Sequence, residues 1–184
     1  MLDNEPESER EPPPAIERVD GAWVLRAAQA ISVSRDALFP FFADARNLAR
    51  ITPPEMGFDI LTAGPITMGE GTLIDYRIRL WGMPLRWRTV IERWDPPHAF
   101  VDRQLRGPYA EWVHTHRFTE RSDGGTLMED EVRFRLPFGP LGVLGAPLVR
   151  RQLRRIFAYR RAVIASLVEA GWERGEVKLG AQSP

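Results

Sequence analysis

The sequence predicts an α+β domain in which a curved, seven-stranded antiparallel sheet wraps one long C-terminal helix, with two short helices after the first strand. Three observations carry this. Residues 57–136 form short runs of alternating apolar and polar positions, separated by the turn clusters Ala63-Gly64-Pro65, Gly82-Met83-Pro84, Asp95-Pro96-Pro97, Gly107-Pro108 and Ser122-Asp123-Gly124-Gly125. Residues 148–170 hold the longest stretch of helical periodicity and stop at Gly171, a residue suited to the left-handed turn after a helix. Between the first strand and the rest lie two segments that open on Ser34 and Asp44, both capable of capping a helix N-terminus.

Residues 1–20 combine acids with Pro6, Pro12, Pro13 and Pro14 and lack apolar periodicity, so they read as a disordered acidic tail. The folded domain is expected over residues 21–171, with residues 172–184 as a flexible C-terminal tail. Residues 23–33 alternate with period two and form the first strand. Residues 35–39 and 45–50 form the two short helices, limited by Pro40 and by Pro53-Pro54. Six strands then follow, joined by hairpin-length loops that favour an antiparallel meander. An apolar, glycine-rich connector over residues 137–147 leads into the long helix. The connector tip, residues 138–144, and the hairpin tip, residues 80–84, are expected to pack against the body; the other reading makes them a peripheral membrane or partner contact.

Composition narrows the function classes. The 184 residues suit a single domain, 43% of them are hydrophobic, and 25 basic residues balance 25 acidic ones. That balance points away from nucleic acid as a partner, because counterion displacement requires a basic excess. The absence of cysteine removes thiol nucleophiles, zinc ribbons and iron–sulfur clusters. No apolar run is long enough for a transmembrane span and the N-terminus does not resemble a signal peptide, so a cytoplasmic location is the expectation.

Successive strand residues point to opposite faces, which sorts the polar residues. Asp75, Arg77, Arg79, Arg86, Arg88 and Glu92 fall together on an outer, solvated face. On the inner face, Trp112, His114, His116 and Phe118 share one strand and Met128, Asp130, Val132 and Phe134 another; Tyr76, Trp87 and Thr89 face the same way. For the intervening strand, Phe100, Asp102 and Gln104 are placed inside. In the helix, Val149, Leu153, Ile156, Phe157, Val163, Ile164 and Leu167 make the apolar stripe, and Arg160 lies near its middle.

Buried polar groups need partners or water. The inner polar set therefore forms either a paired cluster in a filled core or the polar end of a ligand cavity. The latter assigns ligand-binding roles to Tyr76, Trp87, Thr89, Trp112, His114, His116, Phe118, Asp130, Phe134, Phe157 and Arg160. Two histidines at i and i+2 with a carboxylate nearby also suit a metal, but spacing fixes no third ligand, and neither metal nor cofactor is expected.

The phrases Ile51-Thr52-Pro53-Pro54, Gly107-Pro108-Tyr109 with Trp112, His114, His116 and Phe118, and Ile156-Phe157-Ala158-Tyr159-Arg160 resemble the SRPBCC superfamily, in particular an uncharacterised bacterial branch of it. These START-like helix-grip proteins include polyketide cyclase/dehydrases and quinone-binding START proteins. The resemblance covers about residues 19–171. It implies a seven-stranded sheet gripping the C-terminal helix over a hydrophobic cavity, and it carries over no catalytic residue. The partner it implies is a hydrophobic or amphipathic small molecule such as a polyketide, isoprenoid, quinone or lipid. The alternative is a cyclase- or dehydratase-type enzyme in which His114 or His116 serves as general base and Arg160 or Tyr76 stabilises an enolate. Oligomeric state is not legible.

Overall fold

The computed structural model describes residues 12–80 and 82–172. The disorder expected of residues 1–11 and the flexibility expected of residues 173–184 concern segments outside the described residues. One antiparallel sheet contains eight strands: β1 (Ala15–Val19), β2 (Ala22–Ile31), β3 (Asp59–Ile60), β4 (Leu73–Leu80), β5 (Met83–Asp95), β6 (Ala99–Arg106), β7 (Glu111–Glu120) and β8 (Thr126–Arg135). Their spatial order is β1-β2-β8-β7-β6-β5-β4-β3. Helix α1 (Arg35–Phe42) and 3-10 turns at Ala45–Ala49 and Pro54–Met56 follow β2, while α2 (Gly139–Val143) and α3 (Ala146–Glu169) follow β8.

The eighth strand corrects the N-terminal reading. Residues 15–19 pair with β2 along their whole length, from Ala15↔Arg26 to Val19↔Ala22. The signal for this hairpin is Asp20-Gly21, whose φ values of 48° and 76° form the two-residue left-handed turn matched to strand twist. Acidic composition obscured it, although Ile16 is buried against Leu25 and Phe134. Replacing Gly21 by valine places a β-branched residue in the left-handed region and is expected to cost about 1–2 kcal/mol, measured as a fall in chemical-denaturation stability.

Strand β5 is longer than the alternation over residues 85–92 implied. Register shifts between Arg88 and Thr89 and between Ile91 and Arg93 mark irregularities in the β5–β6 ladder, and such bulges bend and twist a strand. On the outer face, Arg88 grips both carboxylate oxygens of Asp75 at 2.8 Å and Arg77 reaches Asp59 at 2.8 Å. These exposed pairs make the solvated ladder that the alternation indicated.

Ser34 precedes α1 as expected, but it caps through its carbonyl, which accepts from Leu38 N at 2.9 Å; its side chain makes no capping bond. Asp44 does cap through its side chain, accepting from Arg46 N at 3.0 Å. Pro40 lies inside α1 rather than ending it. The segment after β8 is not wholly irregular, since α2 forms within it. Its apolar side chains do not pack down as expected: Phe138 is 82% and Leu144 81% exposed, and Leu141 and Leu148 are exposed as well.

Helix α3 buries Leu153, Phe157, Arg160 and Ile164, a spacing of four, three and four residues that keeps one stripe facing the sheet. Leu153 and Phe157 pack with Leu25, Val132 and Phe134, whereas Ile164 joins Phe39, Phe42, Phe100 and Phe118 beneath α1. Gly171 closes the helix at φ 95°. The next residue, Trp172, packs on Phe41 with ring centroids 4.6 Å apart, so the ordered domain runs one residue past the expected boundary.

Candidate functional site

A cavity of about 170 Å³ lies between α3, the short helical turns and the concave face of β4–β7. Its walls come from the third part of the core, where Ile74, Tyr76, Ile78, Trp87 and Ile91 meet Ala45 and Met56. Phe41, Phe42, Leu48 and Ile51 contribute from the helical segment, and Leu153, Ile156 and Phe157 from α3. The lining residues Met68, Leu80 and Gln152 are only half-buried, so part of the wall meets solvent.

A cluster of buried ionisable groups occupies one part of the wall. Strand register places Asp102 on β6 opposite His114 on β7, and His116 opposite Asp130 on β8. Because side chains alternate, all four project to the concave side. One nitrogen of His114, Nε2, lies 2.9 Å from Asp130 Oδ1, and the other, Nδ1, lies 3.6 Å from Asp102 Oδ2. His116 Nε2 is 3.2 Å from Asp102 Oδ2. His116 Nδ1 sits 2.8 Å from Asp130 Oδ1 but off the line a hydrogen bond requires, so the contact is close without being a well-formed bond. The imidazole centroids are 3.8 Å apart, and Phe100 stacks on the far side of His116 at 4.1 Å.

Arg160 reaches this box from α3. Its Nη1 donates to Asp130 Oδ1 at 3.5 Å, its guanidinium carbon lies 4.9 Å from the Phe157 ring centre, and its buried Nε has no hydrogen-bond partner. On β4 and β5, the Tyr76 hydroxyl and Thr89 Oγ1 share a hydrogen bond of 3.1 Å. Trp87 Nε1 is buried and unpartnered. Unpaired donors on a cavity wall suit a site where a polar group of a ligand or water completes the bonding.

Burial and charge divide the two histidines. Burial and the neighbouring His116 lower the pKa of His114, outweighing its carboxylate contacts. Burial also opposes charge on His116, but its contacts with Asp102 and Asp130 outweigh that and raise its pKa. Asp130 is held well below the usual carboxylate range: burial pushes it up, and the Arg160 charge together with the two histidines overcomes this. The Tyr76 hydroxyl is pushed up by burial and by the Asp102 charge.

Eight of the eleven residues assigned to binding line the cavity: Tyr76, Trp87, Thr89, Trp112, His114, His116, Phe157 and Arg160. Three do not. Phe118 lies deep among Phe39, Phe42 and Phe100. Phe134 is fully buried with Leu25 and Val132. Asp130 sits behind the histidines and orients them. All three point inward, as alternation requires, but alternation does not tell a cavity wall from the filled core beside it. Asp102, Tyr109 and Ala45 line the cavity and were not assigned. Asp102 was detectable from its place in the Phe100-Asp102-Gln104 alternation. Tyr109 enters from a loop held by Gln104, whose Nε2 donates to the Tyr109 carbonyl at 2.7 Å.

The fold is that of the START-like SRPBCC proteins. Among solved structures, the chain is similar to a START superfamily protein from Mycobacterium smegmatis at 11% identity, covering 78% of this chain and 98% of that one with a TM-score of 0.59. It is also similar to the ZhuI aromatase/cyclase of a Streptomyces species at 18% identity, covering 86% and 98% of the two chains with a TM-score of 0.59. A second Mycobacterium smegmatis protein matches at 16% identity over 86% and 99%, with a TM-score of 0.62. No protein-family model and no curated protein matches the sequence. These likenesses define the helix-grip class; none of them supplies a substrate. Among the described residues, no helix is long and apolar enough to cross a membrane.

Proposed function

We propose that the protein binds a hydrophobic or amphipathic small molecule in the cavity between sheet and α3, with its polar end toward Asp102, His114, His116 and Arg160. The carrying observation is a mainly apolar cavity with a cluster of ionisable side chains, Asp102, His114, His116 and Arg160, in one part of its wall, the combination that holds and orients an amphipathic ligand. Its volume resembles that of an engineered cavity of about 150 Å³ that takes up benzene. A ring-sized group or short chain therefore fits inside, and a larger ligand extends toward the half-buried rim. The fold class accommodates polyketides, isoprenoids, quinones and lipids; size and polarity favour the smaller aromatic members.

Titration with an anilinonaphthalene sulfonate tests this. The folded protein is expected to bind one probe molecule with enhanced fluorescence. Ala45→Phe, which projects a ring from the 3-10 turn into the cavity, is expected to weaken binding at least tenfold while leaving the circular dichroism spectrum unchanged. Equal probe affinity in both proteins refutes binding in this cavity.

A second reading, a cyclase- or dehydratase-type enzyme, rests on the histidine nitrogens that face the cavity beside Asp102. An imidazole placed next to a bound carbonyl compound can remove an adjacent proton, and Arg160 or Tyr76 can stabilise the resulting oxyanion. Under that reading His114→Ala and His116→Ala abolish turnover of a cyclisable polyketide while probe affinity changes little; unchanged turnover dismisses it. The peripheral-contact reading is supported by the exposed Phe138, Leu141, Leu144 and Leu148, which precede the exposed Arg151, Arg154 and Arg155 on α3. Co-sedimentation with anionic but not neutral liposomes is its test.

A further inference from the structure

We infer that Asp102, His114 and His116 form a binding site for one divalent transition-metal ion at the polar end of the cavity, with Asp130 holding the two imidazoles from behind. The inference starts from a shortage of protons. Each histidine has both ring nitrogens close to carboxylate oxygens: 2.9 and 3.6 Å for His114, and 2.8 and 3.2 Å for His116. A neutral imidazole carries one N–H, so in each ring one of these approaches brings a nitrogen lone pair toward an oxygen lone pair. Among the described residues, Arg160 supplies the guanidinium paired with these carboxylates, and it contacts Asp130 rather than Asp102.

A cation among Asp102 Oδ2, His114 Nδ1 and His116 Nε2 removes both conflicts. One ligand atom from each of these three residues lies within 4.8 Å of the other two. Ligand bonds of about 2.0–2.2 Å in tetrahedral geometry require separations near 3.4 Å, and the two oxygen–nitrogen separations, 3.6 and 3.2 Å, bracket that value. Metal-facing lone pairs leave His114 Nε2 and His116 Nδ1 as the protonated nitrogens, the first hydrogen-bonded to Asp130 Oδ1 at 2.9 Å and the second 2.8 Å from the same oxygen but poorly aligned with it. A carboxylate behind metal-bound imidazoles is the usual second-layer arrangement and fixes their tautomers. Arg160 secures that carboxylate in turn.

The ligand types, two imidazoles and one carboxylate, suit zinc and its first-row neighbours rather than magnesium or calcium. All three lie on the cavity wall. The remaining coordination positions therefore face the space in which an amphipathic ligand sits, where a carbonyl or carboxylate head could bind. Neither the fold nor the apolar cavity requires this site, so it stands independently of ligand binding.

The test uses the full chain, dialysed against a chelator and then titrated with Zn²⁺ by calorimetry and with Co²⁺ by visible absorption. One ion per chain is expected at low-micromolar concentrations or below, with cobalt ligand-field bands of four- or five-coordinate intensity. Asp102→Asn keeps a similar shape at a partly exposed position, and it is expected to weaken zinc binding about 100-fold or more, at the upper end of the 10–100-fold loss typical of outer-shell changes. His116→Gln is expected to do the same. If the wild-type protein takes up no stoichiometric ion, the conflict is resolved by a proton on His116 and the inference is overturned. Equal zinc affinity in wild type and Asp102→Asn also overturns it. Anilinonaphthalene sulfonate binding by the chelator-treated protein is scored separately, so loss of one reading is not mistaken for loss of the other.

Discussion

Asp130→Leu is expected to destabilise the protein by about 3–5 kcal/mol, the range observed when one partner of a buried ion pair is removed. The carboxylate is buried, and its closest charged neighbour, Arg160, is 7% exposed. Without Asp130 the guanidinium stays in an apolar setting beside Phe157, His114 Nε2 loses its partner at 2.9 Å, and His116 Nδ1 loses a close carboxylate contact at 2.8 Å. For a domain of this size the loss corresponds to a melting temperature lower by about 6–20 °C. The double variant Asp130→Leu/Arg160→Met is expected to recover a large part of the loss, because an apolar pair often replaces a buried ion pair at little cost. A double variant no more stable than Asp130→Leu shows that the damage comes from the histidines and not from the stranded arginine.

Phe118→Ala is expected to cost a further, independent 3–5 kcal/mol or so, as large-to-small changes in a filled core do. Phe118 is 2% exposed, with ring centroids 5.3 Å from Phe39 and Phe42 and 6.2 Å from Phe100. It shares a strand face with His116 yet does not touch the cavity. The milder Phe118→Leu is therefore expected to lower the denaturation midpoint while leaving probe affinity within about twofold of wild type, a change of roughly 0.4 kcal/mol at the tenfold-per-1.4 conversion. A large loss of affinity in Phe118→Leu means that this core is coupled to the site.

The contrast between Phe118 and His116 shows what sequence periodicity can resolve. Alternation assigned the inner face correctly on β4 to β8, including Asp102 on the ambiguous strand, because a period-two pattern is a direct consequence of strand geometry. It placed Arg160 within the apolar stripe of α3 for the same kind of reason. Alternation carries no information about depth along the sheet, so Phe118 and Phe134 were grouped with true wall residues. The Asp102 contact with both histidines depends on the β6–β7 register, which no single strand reveals. The extra strand escapes the sequence reading for another reason: the acidic, proline-rich composition of the N-terminus outweighs the Asp20-Gly21 turn and the apolar Ile16 and Val19 before it. At the other end, exposed Phe138 and Leu144 show that an apolar segment does not by its composition say where it will pack.

Sheet curvature and Arg160, the arginine that α3 buries, together explain why the cavity has a charged cluster in one part of its wall. The β5 irregularities and the β6–β7 register set the concave wall, Arg160 secures Asp130, and Asp130 holds the imidazoles at the end of an otherwise apolar chamber. Native mass spectrometry of the protein isolated from its own cells tests this account most directly. The wild-type chain is expected to carry one small amphipathic molecule that is lost on activation, and Ala45→Phe is expected to appear at the mass of the bare polypeptide. Wild-type protein at bare mass, with no adduct after incubation with a ring-sized amphiphile, contradicts the binding role.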